Sequence, residues 1–162
     1  MRADEYSALS ALQIASAVNA GELSAVEVAE IALSTADELG GHYGAFTCLA
    51  PERALDDARR TDRRVAAGEW LPLAGVPNPI KDLNPVEGVP WEAGSAAMRG
   101  MIGPDDDPIV GWFADAGTTM IGKTATPEFG LPCYTEPDGR PPAVTPWDPT
   151  RSAGGSSGGA AA

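Results

Sequence analysis

Apolar positions in the first third of the chain recur at helical spacing. Leu9, Leu12, Ile14, Ala15 and Val18 form one such run, and Asn19-Ala20-Gly21 ends it. Ser24-Ala25-Val26-Glu27 reads as a capping box, in which the serine hydroxyl accepts from the backbone three residues on and the glutamate reaches back. It opens a second helix with Val28, Ile31 and Ala32 on one side, closing near Gly40-Gly41. Ala45 to Leu49 has the texture of a short strand. Pro51 suits a first helical turn, and a highly charged helix follows to about Ala67, its charges forming a solvated face rather than a site.

From Leu71 the pattern changes. Short apolar runs, around Ile80 and Leu83 and again from Thr118 to Ile121, alternate with loops rich in Gly and Pro. One helix is predicted over Asp107 to Ala116, with Ile109, Val110 and Phe113 inward. The alternation predicts an α/β architecture, a mixed twisted sheet flanked by helices with the first two helices outside and functional residues on the connecting loops. Residues 1–70 read as a helical preface to the domain and residues 71–162 as the first part of its α/β core. The last stretch, Ser152 to Ala162, contains only Gly, Ser and Ala and passes equally for a flexible linker.

Composition narrows the function classes. Gly and Pro fill 34 of 162 positions, below the roughly 25–30% at which disorder becomes the default. Eleven basic against 23 acidic residues give a net charge of −12, which repels phosphate backbones and anionic lipid, so neither a nucleic acid nor a membrane surface is an expected partner. Cys48 and Cys133 stand apart, in no metal-binding or disulfide pattern, and read as buried free thiols of a reducing cytosol. Met1 to Tyr6 carries charges of both signs without an apolar stretch, and no apolar run is long enough to span a bilayer. A cytoplasmic location is expected.

One motif matches a nucleotide-binding pattern. Gly117 to Thr124 satisfies GxxxxGK[ST], whose phosphate cradle needs a strand before the first glycine and a helix after the lysine. Here the residues before Gly117 are helical in pattern, Thr118 to Ile121 read as the strand itself, and Pro127 interrupts any following helix. Helix, glycine turn and strand is the preferred reading.

Two other segments carry chemistry. Lys81, between Ile80 and Leu83, is a candidate base, because desolvation can lower a lysine pKa until its amine is neutral and accepts a proton. In Gly154-Gly155-Ser156-Ser157-Gly158-Gly159 the glycines allow close backbone approach to a substrate, and paired serines can relay a proton or donate to an anion. The single histidine, His42, beside Gly40-Gly41, reads as a surface loop residue, so a Ser-His-Asp triad is poorly supported.

Taken in order and spacing, Leu73 to Leu83, Gly88 to Ser95, Gly122 to Gly130 and Pro146 to Gly159 resemble the amidase-signature family, from about Leu12 to the end. The resemblance implies a Ser–cis-Ser–Lys triad without cofactor or metal. Lys81 matches the base and Ser156 the bridging serine, preceded by a cis bond from Gly155. Ser157 is implied as a hydrogen-bonding neighbour, Gly154, Gly155 and Gly158 as loop support, and Ser95 as a support for the lysine. Ala160 and Thr145 depart from the family's usual serine and asparagine. The family's nucleophile and oxyanion amides fall beyond Ala162, so the chain is expected to be an N-terminal part of an amidase, inactive as it stands. A small-molecule amide is the implied substrate, with a homodimer as one assembly. A glutamine-hydrolysing amidotransferase component working with partner subunits shares these motifs, and a non-catalytic remnant or interaction module stays open.

Overall fold

In the computed structural model, which describes residues 3–162, three helices precede the first strand. Met1 and Arg2, part of the charged stretch noted above, lie outside the described residues. Helix α1 spans Ala3–Ser7, α2 Ala11–Asn19 and α3 Ala25–Tyr43. The capping box at Ser24 forms as expected, the hydroxyl accepting from Glu27 N and Ser24 N donating to Glu27 Oε2. A second box at Ser10 and Gln13 starts α2. Helix α3 runs one turn beyond the predicted Gly40-Gly41 stop, because the left-handed cap falls on Gly44 (φ 60°), where a glycine pays least for that conformation. His42 therefore sits exposed in the last turn of α3 rather than in a loop.

Strand β1 (Phe46–Leu49) leads directly into α4 (Pro51–Ala66), with proline in the first turn. Asp62 of α4 accepts the Ala25 and Val26 amides, closing the otherwise open N-terminus of α3. The facing sides of α2, α3 and α4 bury Val18, Val28, Ala29 and Ala58 with Leu71 and Ala74. Leu12, placed on the inner face by its spacing, is 72% exposed. The charged face of α4 is not wholly solvated either. Asp57 is buried and accepts from Arg53, Arg60 and the Met120 amide.

The later elements are short. Strand β2 spans Ile80–Lys81, α5 Pro108–Asp115, β3 Gly122–Thr124, β4 Val144–Thr145, β5 Asp148–Ser152 and α6 Gly158–Ala161. Asp107 caps α5 through the Ile109 amide. Val110 faces the core and Phe113 packs on it, but Ile109 is exposed. The main sheet is mixed, in the order β1-β3-β2, with β3 antiparallel to β1 and parallel to β2; β4 and β5 form a separate hairpin. The helical first part of the chain thus supplies one strand of the sheet. No helix among the described residues is long and apolar enough to cross a membrane.

The strand expected over Thr118 to Ile121 forms one step later, at Gly122–Thr124, with Thr119 reaching Pro77 only through an isolated bridge. The lysine of the GxxxxGKT pattern lies inside that strand. Its side chain is 0% exposed, and Nζ donates to Asp82 Oδ1 at 3.0 Å and to Asn84 O at 2.8 Å. An ammonium sealed in this way cannot reach a phosphate, and the Gly117–Thr124 pattern is a glycine turn leading into a strand and not a nucleotide cradle.

A buried ion pair broken on one side leaves a charge without compensation. Lys123→Met should destabilise the fold by about 3–5 kcal/mol. Lys123→Met combined with Asp82→Leu, which replaces the whole pair by apolar volume, should recover most of that loss. Urea unfolding of the two variants checks both outcomes.

Candidate active site

Strand register decides where Lys81 points. Lys81 lies beside Thr124 in the parallel β2–β3 pair, and Asp82 N extends the ladder by donating to Thr124 O at 3.0 Å. Neighbouring residues on an extended chain point to opposite faces. Asp82 accordingly meets Lys123 on one face of the sheet, and Lys81 meets the Gly-rich tail on the other. Lys81 Nζ donates to Ser156 Oγ at 2.7 Å. The amine is half-buried, and desolvation holds its pKa below the ordinary lysine range. On the far face, burial pushes the Asp82 carboxyl up, against the pull of Lys123.

The tail is no linker. It turns at Gly154 (φ 82°), the Gly155–Ser156 peptide bond is cis, and α6 begins at Gly158. Its other glycines answer to crowding rather than to dihedral freedom. A Cβ at Gly155 would meet the Tyr134 and Cys133 backbone, one at Gly158 the Thr135 side chain, and one at Gly159 the backbone of Ala125 and Ala45. The segment therefore packs backbone-to-backbone against two stretches, 133–135 and the residues following β3. Gly159 N donates to Ala125 O, and Ala125 N to Ala45 O. Thr126 Oγ1 donates to Ser156 O at 3.1 Å.

The residues singled out in the sequence do not all converge. Lys81, Ser156, Gly154, Gly155 and Gly158 share one site. Ser157 is exposed at the N-cap of α6 without a side-chain cap bond. Ser95 is buried, but its hydroxyl donates to Glu128 Oε1 and accepts from Ala97 N; these bonds tie down the loop after Gly94 and are not made to Lys81. Sequence reasoning passed over Thr126 and Thr135, both 0% exposed with hydroxyls on the serine loop. The available signal was a threonine in each of two Pro-bounded stretches, Thr126-Pro127 and Thr135-Glu136-Pro137, where a buried hydroxyl must find partners. Also missed was the Lys123–Asp82 pair, flagged only by charges inside apolar runs. Among the described residues no cluster of three or more His, Cys, Asp or Glu side chains has the arrangement to hold a metal ion.

Arranged in this way, the site can hold an amine of lowered basicity against a serine hydroxyl, a pair suited to relaying a proton. Comparison with known proteins gives the family. Residues 27–162 match the family model described as Amidase. Over 159 residues, 98% of this chain and 32% of the relative, the sequence is 43% identical to a glutamyl-tRNA(Gln) amidotransferase subunit from Salinispora arenicola (strain CNS-205). Among solved structures, the peptide amidase of Stenotrophomonas maltophilia superposes with a TM-score of 0.82 at 28% identity, covering 95% of this chain and 33% of that one. A chain from a vestigial protein complex bearing on the origins of an s-triazine catabolic enzyme superposes with a TM-score of 0.88 at 38% identity, covering 93% and 34%. The chain thus spans about a third of the length of the relatives it matches.

Gly158 and Gly41 make a contrasting pair. Gly158→Ala drives a methyl group into Thr135 and should cost about 1–3 kcal/mol. Gly41→Ala, inside α3 with nothing within 4 Å of the added carbon, should be neutral or stabilising by up to about 1 kcal/mol. Thermal unfolding of the two variants should move in opposite directions or, at the least, differ clearly.

Proposed function

The chain belongs to the amidase-signature family, and from that premise we propose that it carries the base and the proton-bridging serine of an amide-hydrolysing active site. The observation that supports this most directly is the 2.7 Å contact between Lys81 Nζ and Ser156 Oγ. In this reading residues 1–70 are the helical preface and residues 71–162 the opening part of the catalytic core of a cytoplasmic enzyme.

The proposed chemistry runs through that contact. Neutral Lys81 accepts the Ser156 hydroxyl proton as Ser156 takes one from a nucleophilic serine, which the family resemblance assigns to a Gly-rich segment following Ala162. The nucleophile's oxygen bonds to the carbonyl carbon of a small-molecule amide, and the carbonyl electrons move onto oxygen. Collapse of that adduct breaks the C–N bond, and the proton held on Lys81 returns through Ser156 to the departing amine. Water then attacks the acyl-enzyme by the same relay, releasing the acid. Ser157 and the Gly154, Gly155 and Gly158 backbone shape the loop in which the relay sits. Ser95 bonds to Glu128 and makes no bond to the relay.

A second reading is favoured by a specific observation, the 43% identity to an amidotransferase component over nearly the whole chain. In it the same relay releases ammonia from an amide donor for use by partner subunits. Ammonia release from glutamine that requires those partners supports this reading; turnover of simple amides by a full-length chain without partners supports a free-standing amidase.

The base works only when unprotonated, so kcat/KM should rise with pH and level off above the Lys81 pKa. Because burial lowers that pKa, the rise should be centred below the ordinary lysine value of about 10.4. In a full-length enzyme carrying this segment, Lys81→Ala and Ser156→Ala should each cut kcat by about 10²–10⁴-fold. Lys81→Arg, which stays protonated, should fail across the whole pH range. Unchanged rates in the two alanine variants would remove the relay from the mechanism.

A further inference from the structure

The Lys81–Ser156 contact depends on a loop with little side-chain mass of its own. Of the six residues from Gly154 to Gly159, four are glycines and two are serines. Such a loop does not fix its own geometry, so other parts of the fold must hold it. One side chain touches it on both flanks of Ser156. Thr135 is 0% exposed, and its hydroxyl donates to Gly154 O at 2.9 Å and accepts from Gly158 N at 3.1 Å. The one hydroxyl hydrogen and one lone pair are both engaged, closing a ring that runs from Gly154 through Ser156 to Gly158 and back. Thr135 is itself anchored, its carbonyl accepting from Ala143 N while Ala143 O accepts from Ala153 N at the start of the loop. A methyl group on Gly158 would overlap the threonine side chain, so the approach is as close as two backbones and a hydroxyl allow.

We propose that Thr135 is a positioning residue for Ser156, its hydroxyl pinning both ends of the Gly154–Gly158 loop so that Ser156 Oγ stays within proton-transfer reach of Lys81. The proposal rests on the relay reading given above. Thr135 does not face Lys81 through any hydrogen bond of its own; it acts through the loop. A role in packing alone would be served by valine, which has nearly the same shape. A positioning role requires the donor and the acceptor together, which serine retains and valine lacks.

The test uses a full-length enzyme carrying this segment, with Thr135→Val, Thr135→Ser and Lys81→Ala compared on one amide substrate. A misplacement of about 1 Å in a reacting group can cost on the order of 10²-fold. Thr135→Val should lower kcat by about 10–100-fold with KM within about twofold, the signature of a lost transition-state arrangement rather than lost binding. Thr135→Ser should restore kcat to within a few-fold of the parent. Independently of turnover, hydrogen exchange at the Gly158 amide should quicken in Thr135→Val and stay slow in Thr135→Ser. A Thr135→Val enzyme with parental kcat and slow Gly158 exchange overturns the proposal, as does equal loss in the serine and valine variants. If Lys81→Ala keeps parental kcat, the relay reading itself falls. If Lys81→Ala is dead while Thr135→Val is unchanged, only the role of Thr135 is lost.

Discussion

An ammonium group buried to zero exposure must be paired, and much of this molecule is arranged around the pairing of Lys123. Its partner, Asp82, sits immediately after Lys81, so satisfying one lysine fixes the position of the other. The surroundings hold the pair from every side. Thr47 Oγ1 donates to Lys123 O, Arg140 donates to Thr47 O and to Glu92 Oε2, and the Glu92 amide faces both oxygens of Asp82. These bonds join β1, β2, β3 and the loops after Gly88 and Pro137 into one closed network. Replaced by apolar side chains, the pair would lose little stability; what it supplies is a fixed register, since a slip of one residue would turn Lys123 toward the wrong face of the sheet.

The two faces of β2 divide the electrostatic work. On one face Lys123 donates to Asp82 and to the Asn84 carbonyl, with both side chains of the pair sealed from solvent. On the other Lys81 meets a neutral hydroxyl, and burial lowers its basicity. Two lysines in one three-stranded sheet thus receive opposite treatment because adjacent positions on a strand face opposite ways. The difference lies in the partner each finds and not in the stretch of sequence around it, since both sit in short apolar runs.

Most of the helical part was legible in the sequence. The periodic runs, the Ser24 capping box, Pro51 and the Asp107–Ala116 helix each depend on local chemistry, and local chemistry is what a sequence displays. Errors there were of degree: α3 ran on to Tyr43 because the left-handed residue is Gly44, and Leu12 and Ile109 are exposed rather than inward. The sheet was harder. With strands of two to four residues, propensity favoured Thr118 to Ile121 over the neighbouring Gly122–Thr124, and only long-range pairing with β1 and β2 selects the latter. Lys81 and Ser156 stood out only through motif resemblance, because nothing local to Lys81 separates a half-buried lysine held by a serine from a surface lysine. Thr135 showed locally only as a threonine in a Pro-bounded stretch, because its contacts depend on where residues 154–158 arrive.

Both halves of the proposed relay trace to one short segment. Lys81 is placed by backbone pairing with Thr124, and the serine loop by Ala125, which accepts from the Gly159 amide, and by Thr126, which donates to Ser156 O. Five consecutive residues, Gly122 to Thr126, therefore set the separation of two groups 75 positions apart. This is the segment whose sequence imitates a phosphate-binding loop, and the contrast is physical. A phosphate cradle needs open backbone amides and a lysine free to reach an anion, whereas here the Gly117 to Met120 amides already donate to carbonyls or to Asp57, and the lysine donates to Asp82. Gly122 is required for a further reason: a Cβ there would meet Cys48 O and Leu49 Cα of the neighbouring strand. Glycine and lysine in this order thus arise from close strand approach and a buried countercharge. Two independent packing demands account for the Gly-Lys pair without any nucleotide to select it.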